Sequence, residues 1–213
     1  MSQLTLLLDG ALVTALVSVT AIAVGVPLGL ILALIRWQRV PVLWQIVAVY
    51  VSLIRATPAI TLALLIFFAI PSLGIVLNPA TAAVLTLTLN TSAFNCEIWR
   101  AALIDFPRDQ LEAARAYGMK PTLTFRKIIF PQIWRTSLPP LVNEMTLLIK
   151  ASPALAVIGI VDLTRAASRI GAATYQPLPP FIAATFLYML LVLMFVATQR
   201  FVERQVKRKF GSA

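Results

Sequence analysis

From Ala56 to Cys96 the chain runs for 41 residues without an Asp, Glu, Lys or Arg. An apolar helix needs about 20 residues to cross a hydrocarbon core about 30 Å thick, so this run holds two crossings. The stretch PSLGIVLNP, Pro71 to Pro79, breaks it in the middle. The rest of the chain agrees. It is 60% hydrophobic and 12% charged over 213 residues, against about 25% charged in an ordinary soluble domain. Inside a bilayer every backbone polar group must be satisfied within the protein, and helices do that segment by segment. We therefore expect an all-α membrane protein.

Five transmembrane helices follow from the apolar runs. The first covers Ala11–Ile35, with Pro27 tolerated inside it. The second is about Pro58–Ile70, the third about Ala80–Cys96, the fourth about Pro140–Ile160 and the fifth Phe181–Gln199. Between the first two, Arg36 to Arg55 holds too few apolar residues to cross; Trp37 and Trp44 suit a helix at the membrane surface that then bends inward.

Net charge is +10, from 18 Lys+Arg against 8 Asp+Glu. These cations sit at the ends of apolar runs, which points to loops on the cytoplasmic side and not to nucleic acid. The Arg36–Arg55 segment holds 3 Lys+Arg, the Arg100–Arg135 segment 7, and the tail from Arg200 holds 5. All lie on one face of a five-span arrangement, whereas the other face has Arg165 and Arg169. The positive-inside rule places the amino terminus outside and the carboxyl terminus in the cytoplasm, with residues 204–213 a basic cytoplasmic tail.

No His and a single Cys exclude disulfide scaffolds, thiolate metal sites and His-based catalysis. Cys96 lies among apolar residues and reads as packing. The amino terminus has no basic region ahead of its apolar run, unlike a cleaved signal peptide.

The long polar segment EAARAYGMKPTLTFRKIIFP, Glu112 to Pro131, lies on the cytoplasmic face of this arrangement. DQLEAARAYG predicts a short helix, with Asp109 as N-cap and Gly118 as the stop. On it Ala113, Ala116 and Tyr117 share one face, and Glu112 and Arg115 another. A second helix is expected from Thr122, with Phe125, Ile128 and Ile129 as its apolar stripe and Pro131 bending it back towards the membrane.

The same segment resembles the signature loop of the permease subunits of bacterial ABC importers. Glu112, Ala113 and Ala114 stand at the Glu-Ala-Ala positions, Gly118 at the glycine, and Ile128 and Pro131 at the Ile-x-x-Pro end. The resemblance runs from about residue 10 to residue 203 as a type I transmembrane domain and narrows to the polar amino-acid uptake branch. LIRATPAI, from Leu53, is similar to Arg-Gly-Thr-Pro with Ala56 for Gly. FNCEIWRAAL, from Phe94, is similar to Glu-Ile-x-Arg-Gly-Ala with Ala101 for Gly. KASPAL, from Lys150, stands where Lys-Asp-Thr-Ser-Leu is usual and adds Pro153 to the fourth span.

The resemblance implies a mechanism and a set of partners. Glu112, Ala113, Ala114, Ala116, Tyr117 and Gly118 form a coupling helix, between spans three and four, that seats in a cleft of a cytoplasmic ATPase. Two ATPase subunits serve two permease subunits, identical or paralogous, and a periplasmic binding protein delivers the amino acid. The setting is the bacterial inner membrane. The chain has no Gly-x-x-x-x-Gly-Lys-Ser/Thr sequence, so ATP and Mg belong to the ATPase, and no cofactor or metal is expected in this chain.

Glu144 and Lys150 are the ionisable residues well inside a span, and each costs about 2.5–3.5 kcal/mol near a helix centre. They are about 240° apart on the helical wheel and do not pair along the helix. Two readings of Glu144 stand: a contact to a neighbouring helix, or a place on the path where it meets a substrate ammonium or guanidinium. Asn143 and Glu144 resemble the Asn-Glu seen in permeases for basic amino acids, which implies a cationic substrate. Lys150 reads as a helix contact or gating residue. Ser92 and Asn95 either hydrogen-bond across the bundle or line the path. Arg55 and Glu97, at the cytoplasmic edge, are either interfacial anchors or a gate salt bridge. A secondary carrier or channel working without ATP is the alternative, though it calls for inverted repeats; an intramembrane enzyme would need a catalytic constellation the spans lack.

Overall fold

The computed structural model describes residues 2–210, with the backbone alone for residues 199 and 202–210. Among the described residues all regular structure is helical. Helix α1 spans Gln3–Trp37, α2 Leu43–Ala56, α3 Ala59–Ser72, α4 Pro79–Ile104 and α5 Arg108–Ala116. A single turn, α6 (Pro121–Thr124), leads through a π segment into α7, Phe130–Ala151, which ends in a 3-10 stretch, Ser152–Ile158. Helices α8 (Leu163–Thr174) and α9 (Leu178–Phe210) complete the chain.

Among the described residues three stretches are long and apolar enough to cross a membrane: Gln3–Trp37, Pro121–Ile158 and Leu178–Thr198. Helices α2 and α3 meet the same test only as a pair, bent by 113° at their junction, as a broken span or a re-entrant loop does. This is a multi-pass membrane protein. The expected third span lies within α4, which is 26 residues long but less apolar, because its inner face carries Thr86, Thr91, Ser92 and Asn95, all buried.

The bundle is organised on α1 and α4. Gly25 and Gly29 face α4 so closely that a Cβ on Gly29 would stand 2.8 Å from the Asn95 Cβ and 3.0 Å from the Cys96 nitrogen. Small residues let membrane helices approach in this way, and close dispersion contact replaces the missing hydrophobic drive. Cys96 is fully buried there, as packing. Around this axis one core joins Val17 and Ile22 of α1 to Leu62 and Ile66 of α3 and to Leu155 and Ile158. A second joins Ala33 to Val47 and Val51 of α2, Trp99 and Leu103 of α4, and Ile133 and Leu141 of α7. A third seats Leu7 and Ala11, at the start of α1, on Leu163, Ala167 and Ile170 of α8. Thus α8 lies at one end of α1 and α5 at the other. Helix α9 leaves Phe186, Met189, Leu190, Leu193 and Met194 exposed, the surface a helix offers to lipid.

Local details differ from expectation in four places. Asp109 is not the N-cap of α5: Pro107 holds that position and Asp109 lies in the first turn, where its charge still suits the helix dipole. Pro131 does not interrupt the helix. It sits at the first turn of α7, where no N–H is needed, and the π segment Phe125–Ile129 carries the helix into it. The α-helical geometry of α7 ends at Ala151, and with Pro153 at its start the last part of the expected span, Ser152–Ile158, is 3-10. Between the fourth and fifth spans lies α8, a helix the apolar runs did not announce. The basic tail continues the α9 backbone to Phe210, and its last residues, 211–213, lie outside the described residues.

Candidate functional site

Helix α5 stands beyond the end of the bundle. Its stop is a full Schellman arrangement: the Gly118 N–H donates to the Arg115 carbonyl at 2.9 Å and the Met119 N–H to the Ala114 carbonyl at 3.0 Å. Gly118 has φ +70, and nothing lies within 4 Å of where its Cβ would be. Backbone conformation, not space, calls for glycine here. Ala114 is buried and Leu111 half-buried against the bundle, whereas Glu112, Ala113, Ala116 and Tyr117 all point away from it. Tyr117 is 88% exposed. The helix is tied down by Gln132 of α7, whose Nε2 donates to the Gln110 Oε1 at 2.7 Å. A shallow knob results, linked to the head of α7 by the Gln110–Gln132 bond.

Above α5, at the end of α4, sits a carboxylate surrounded by guanidinium groups. Glu97 accepts from Arg36 of α1 and, through Oε2, from Arg100 Nε at 2.9 Å and Nη2 at 2.7 Å. Arg55 of α2 approaches Glu97 at 4.0 Å and stacks over Phe94, 5.3 Å from the ring centroid. The expected Arg55–Glu97 pair exists only as the loosest of three. Arg36 and Arg100 are the strong partners, and α1, α2 and α4 meet at this one acid. The sequence showed the charges at the edge of each run; their convergence needed the tertiary fold.

Residues 25–208 match the family described as the binding-protein-dependent transport system inner membrane component. The chain belongs to this family. Among curated proteins it is 34% identical over 207 residues to the arginine transport system permease protein ArtQ of Bacillus subtilis (strain 168), covering 96% of this chain and 94% of that one. It is 36% identical to the L-cystine transport system permease protein TcyB of the same organism, over 86% of this chain and 79% of the relative. To the glutamine transport system permease protein GlnP of Escherichia coli (strain K12) it is 32% identical, over 95% and 93%. A crystal structure of an amino acid ABC transporter with histidines superposes with a TM-score of 0.85 at 33% identity, covering 94% of each chain. The methionine ABC transporter MetNI in an inward-facing form superposes at 0.79 with 22% identity, over 97% and 99%, a likeness of fold. The Glu-Ala-Ala loop and its coupling helix are typical of this family, and α5 carries them here.

In this transport component the remaining candidates fall into two groups. Asn95 is fully buried in the α1–α4 contact, its amide donating to the Thr91 hydroxyl at 3.0 Å. Ser92 is equally buried and pairs with the Tyr50 hydroxyl at 2.7 Å. Ser92 thereby joins α4 to α2, whereas the Asn95 bond stays within α4 and its Oδ1 is left without a partner among the described residues; neither side chain reaches an open face. Asn143, by contrast, is exposed on α7, and Glu144 is half-buried with no hydrogen bond or ion pair among the described residues. The Arg55 guanidinium is close enough to Glu144 for Coulombic attraction. Lys150 is turned elsewhere: it is exposed beside a cavity of about 460 Å³ that it shares with Pro153 and with Tyr188 and Met189 of α9.

One residue escaped the sequence reading. Asp162 is 2% exposed and caps α8, accepting from the backbone N–H of Arg165 at 2.9 Å and of Thr164 at 3.3 Å. The Tyr188 hydroxyl donates to the same carboxylate at 3.2 Å. Burial pushes the Asp162 carboxyl up while these donors hold it down. Its signal is local, an Asp followed by Leu-Thr-Arg at a helix start.

Proposed function

We propose that this chain is the membrane subunit of an ATP-driven importer for amino acids in a bacterial inner membrane. Two copies, or one copy and a paralogue, enclose the path; two ATPase subunits bind the cytoplasmic face, and a periplasmic binding protein supplies the solute. ATP and Mg act in the ATPase. Five crossings, by α1, the α2–α3 pair, α4, α7 and α9, put the amino terminus outside and the tail in the cytoplasm. The positions of α5 and α8 at opposite ends of α1 support this orientation, since the basic segments gather at the α5 end.

The observation that carries the reading is the exposure of Glu112, Ala113, Ala116 and Tyr117 on a helix whose other face is anchored through Ala114 and the Gln110–Gln132 bond. ATP-driven closure of the ATPase pair pulls on α5, the pull passes through Gln132 into α7, and α7 bears Glu144. The solute path runs past Asn143, Glu144 and Arg55. An amino acid offers a carboxylate to Arg55 and an ammonium to Glu144, and a second cationic group on the solute would add to the latter attraction. A cationic amino acid is therefore the preferred cargo. Lys150, away from this face, serves contacts to other helices.

The deciding experiment is co-purification with the ATPase and reconstitution with the binding protein. Deletion of Leu111–Gly118 is expected to abolish solute-stimulated ATP hydrolysis and uptake while the permease stays in the membrane. Full uptake by the deleted form would sink the coupling role, and uptake by the permease without any ATPase would sink the importer reading.

A further inference from the structure

Where α1 ends, a cavity of about 390 Å³ opens between α1, α2, α4 and α5. Arg36, Arg39, Arg100 and Arg108 line it, with Trp37 and Trp44, and no carboxylate does. Glu97 lies behind this wall. It grips Arg36 and Arg100 and fixes their direction, while Arg39 and Arg108 are exposed and make no ion pair among the described residues. One acid is thus set against four cations. That surplus has no ion-pair partner among the described residues.

We propose that this cavity binds the phosphodiester of an anionic phospholipid from the cytoplasmic leaflet. The assignment rests on the membrane placement given above, and goes beyond transport itself. Guanidinium groups bind phosphate oxygens through paired N–H donors, and basic pockets between membrane helices on the cytoplasmic side take acidic headgroups. The depth is right. The cavity begins where the first apolar helix stops, and two tryptophans flank it, as they do at headgroup level. A lipid fits better than a free phosphate because the remaining wall is greasy: Leu103, Phe106 and Leu111 line it, and Ile104 is 57% exposed beside them. On the adjoining helix Leu43 and Ile46 are exposed as well, a surface along which acyl chains can lie. The pocket also joins α5, through Arg108, to the surface segment before α2, so a bound lipid braces the base of the coupling helix.

The test uses the complete transporter, permease with ATPase, in detergent. Phosphatidylglycerol and phosphatidylcholine of matched chains are titrated in, and bound lipid is counted by native mass spectrometry. Phosphatidylglycerol is expected to bind preferentially, and R39Q/R108Q to weaken it roughly 10- to 30-fold, given about 1 kcal/mol for each cation near an anionic surface. R39K/R108K keeps the charge but loses the paired donors, and is expected to bind between the parent and R39Q/R108Q. Equal binding of both lipids, or an R39Q/R108Q variant that binds as the parent does, overturns the proposal. Displacement of the lipid by millimolar inorganic phosphate would make this a free-anion site, and binding seen only once the ATPase is stripped away would give the pocket to an acidic segment of that partner. Either result also overturns it. None of these readouts involves turnover, so failure here leaves the coupling role of α5 untouched.

Discussion

Gly25 of α1 lies against Thr91 of α4 so tightly that a Cβ on it would stand 2.0 Å from the Thr91 Cγ2. Four residues on, Gly29 meets backbone: the Cys96 nitrogen and the Ser92 carbonyl would each be 3.0 Å from its Cβ. A side chain such as Thr91 can turn aside, but a helix backbone cannot.

Gly29→Ala should therefore be the more damaging of the two, costing about 1–3 kcal/mol through overpacking. Thermal unfolding in detergent checks it. A Gly29→Ala protein as stable as the parent would mean that α1 and α4 sit further apart than described.

Glu97→Gln leaves Arg36 and Arg100 facing each other without their acid. The side chains of this cluster are 18–33% exposed, so part of the repulsion is screened, and we expect a loss of about 1–3 kcal/mol. Arg55→Gln should cost much less stability, because Arg55 is 4.0 Å away and 43% exposed. Its effect belongs instead to transport, as a raised KM. Equal destabilisation by the two substitutions would refute this ranking.

On α5 neighbouring alanines should behave differently. Ala113→Glu, on the exposed face, is expected to cut solute-stimulated ATP hydrolysis at least about tenfold by spoiling a packed contact worth over 1 kcal/mol, with the melting temperature of the permease unchanged. Ala114→Glu buries a charge at a site 3% exposed and should lower the melting temperature itself. The pair of readouts separates docking from folding.

At the opposite end, Asp162→Ala removes the α8 cap and the acceptor for Tyr188, and should cost about 2 kcal/mol. Tyr188→Phe should cost about 1 kcal/mol. Because the two residues touch, the double variant should lose less than the sum, by about 0.5 kcal/mol or more. Strict additivity in chemical or thermal unfolding would show that the hydrogen bond contributes nothing.

The apolar runs, their breakers and the distribution of Lys and Arg were enough to read an all-helical membrane chain and the place of its polar segment. The run of Glu112 to Gly118 also disclosed a helix with a glycine stop. These features are local: apolar length, helix propensity and a positive φ act on a few neighbouring residues. Tertiary structure decided the rest. Asn95 and Glu144 are both polar residues in apolar helices, and sequence treats them alike. Only the approach of α1 at Gly25 and Gly29 closes Asn95 off, while Glu144 stays half-buried. In the same way Arg36, Arg55 and Arg100 look like independent edge charges until three helices bring them around Glu97. Hydrophobic period and charge order are written along the chain, whereas a contact between side chains 61 positions apart depends on where whole helices come to rest.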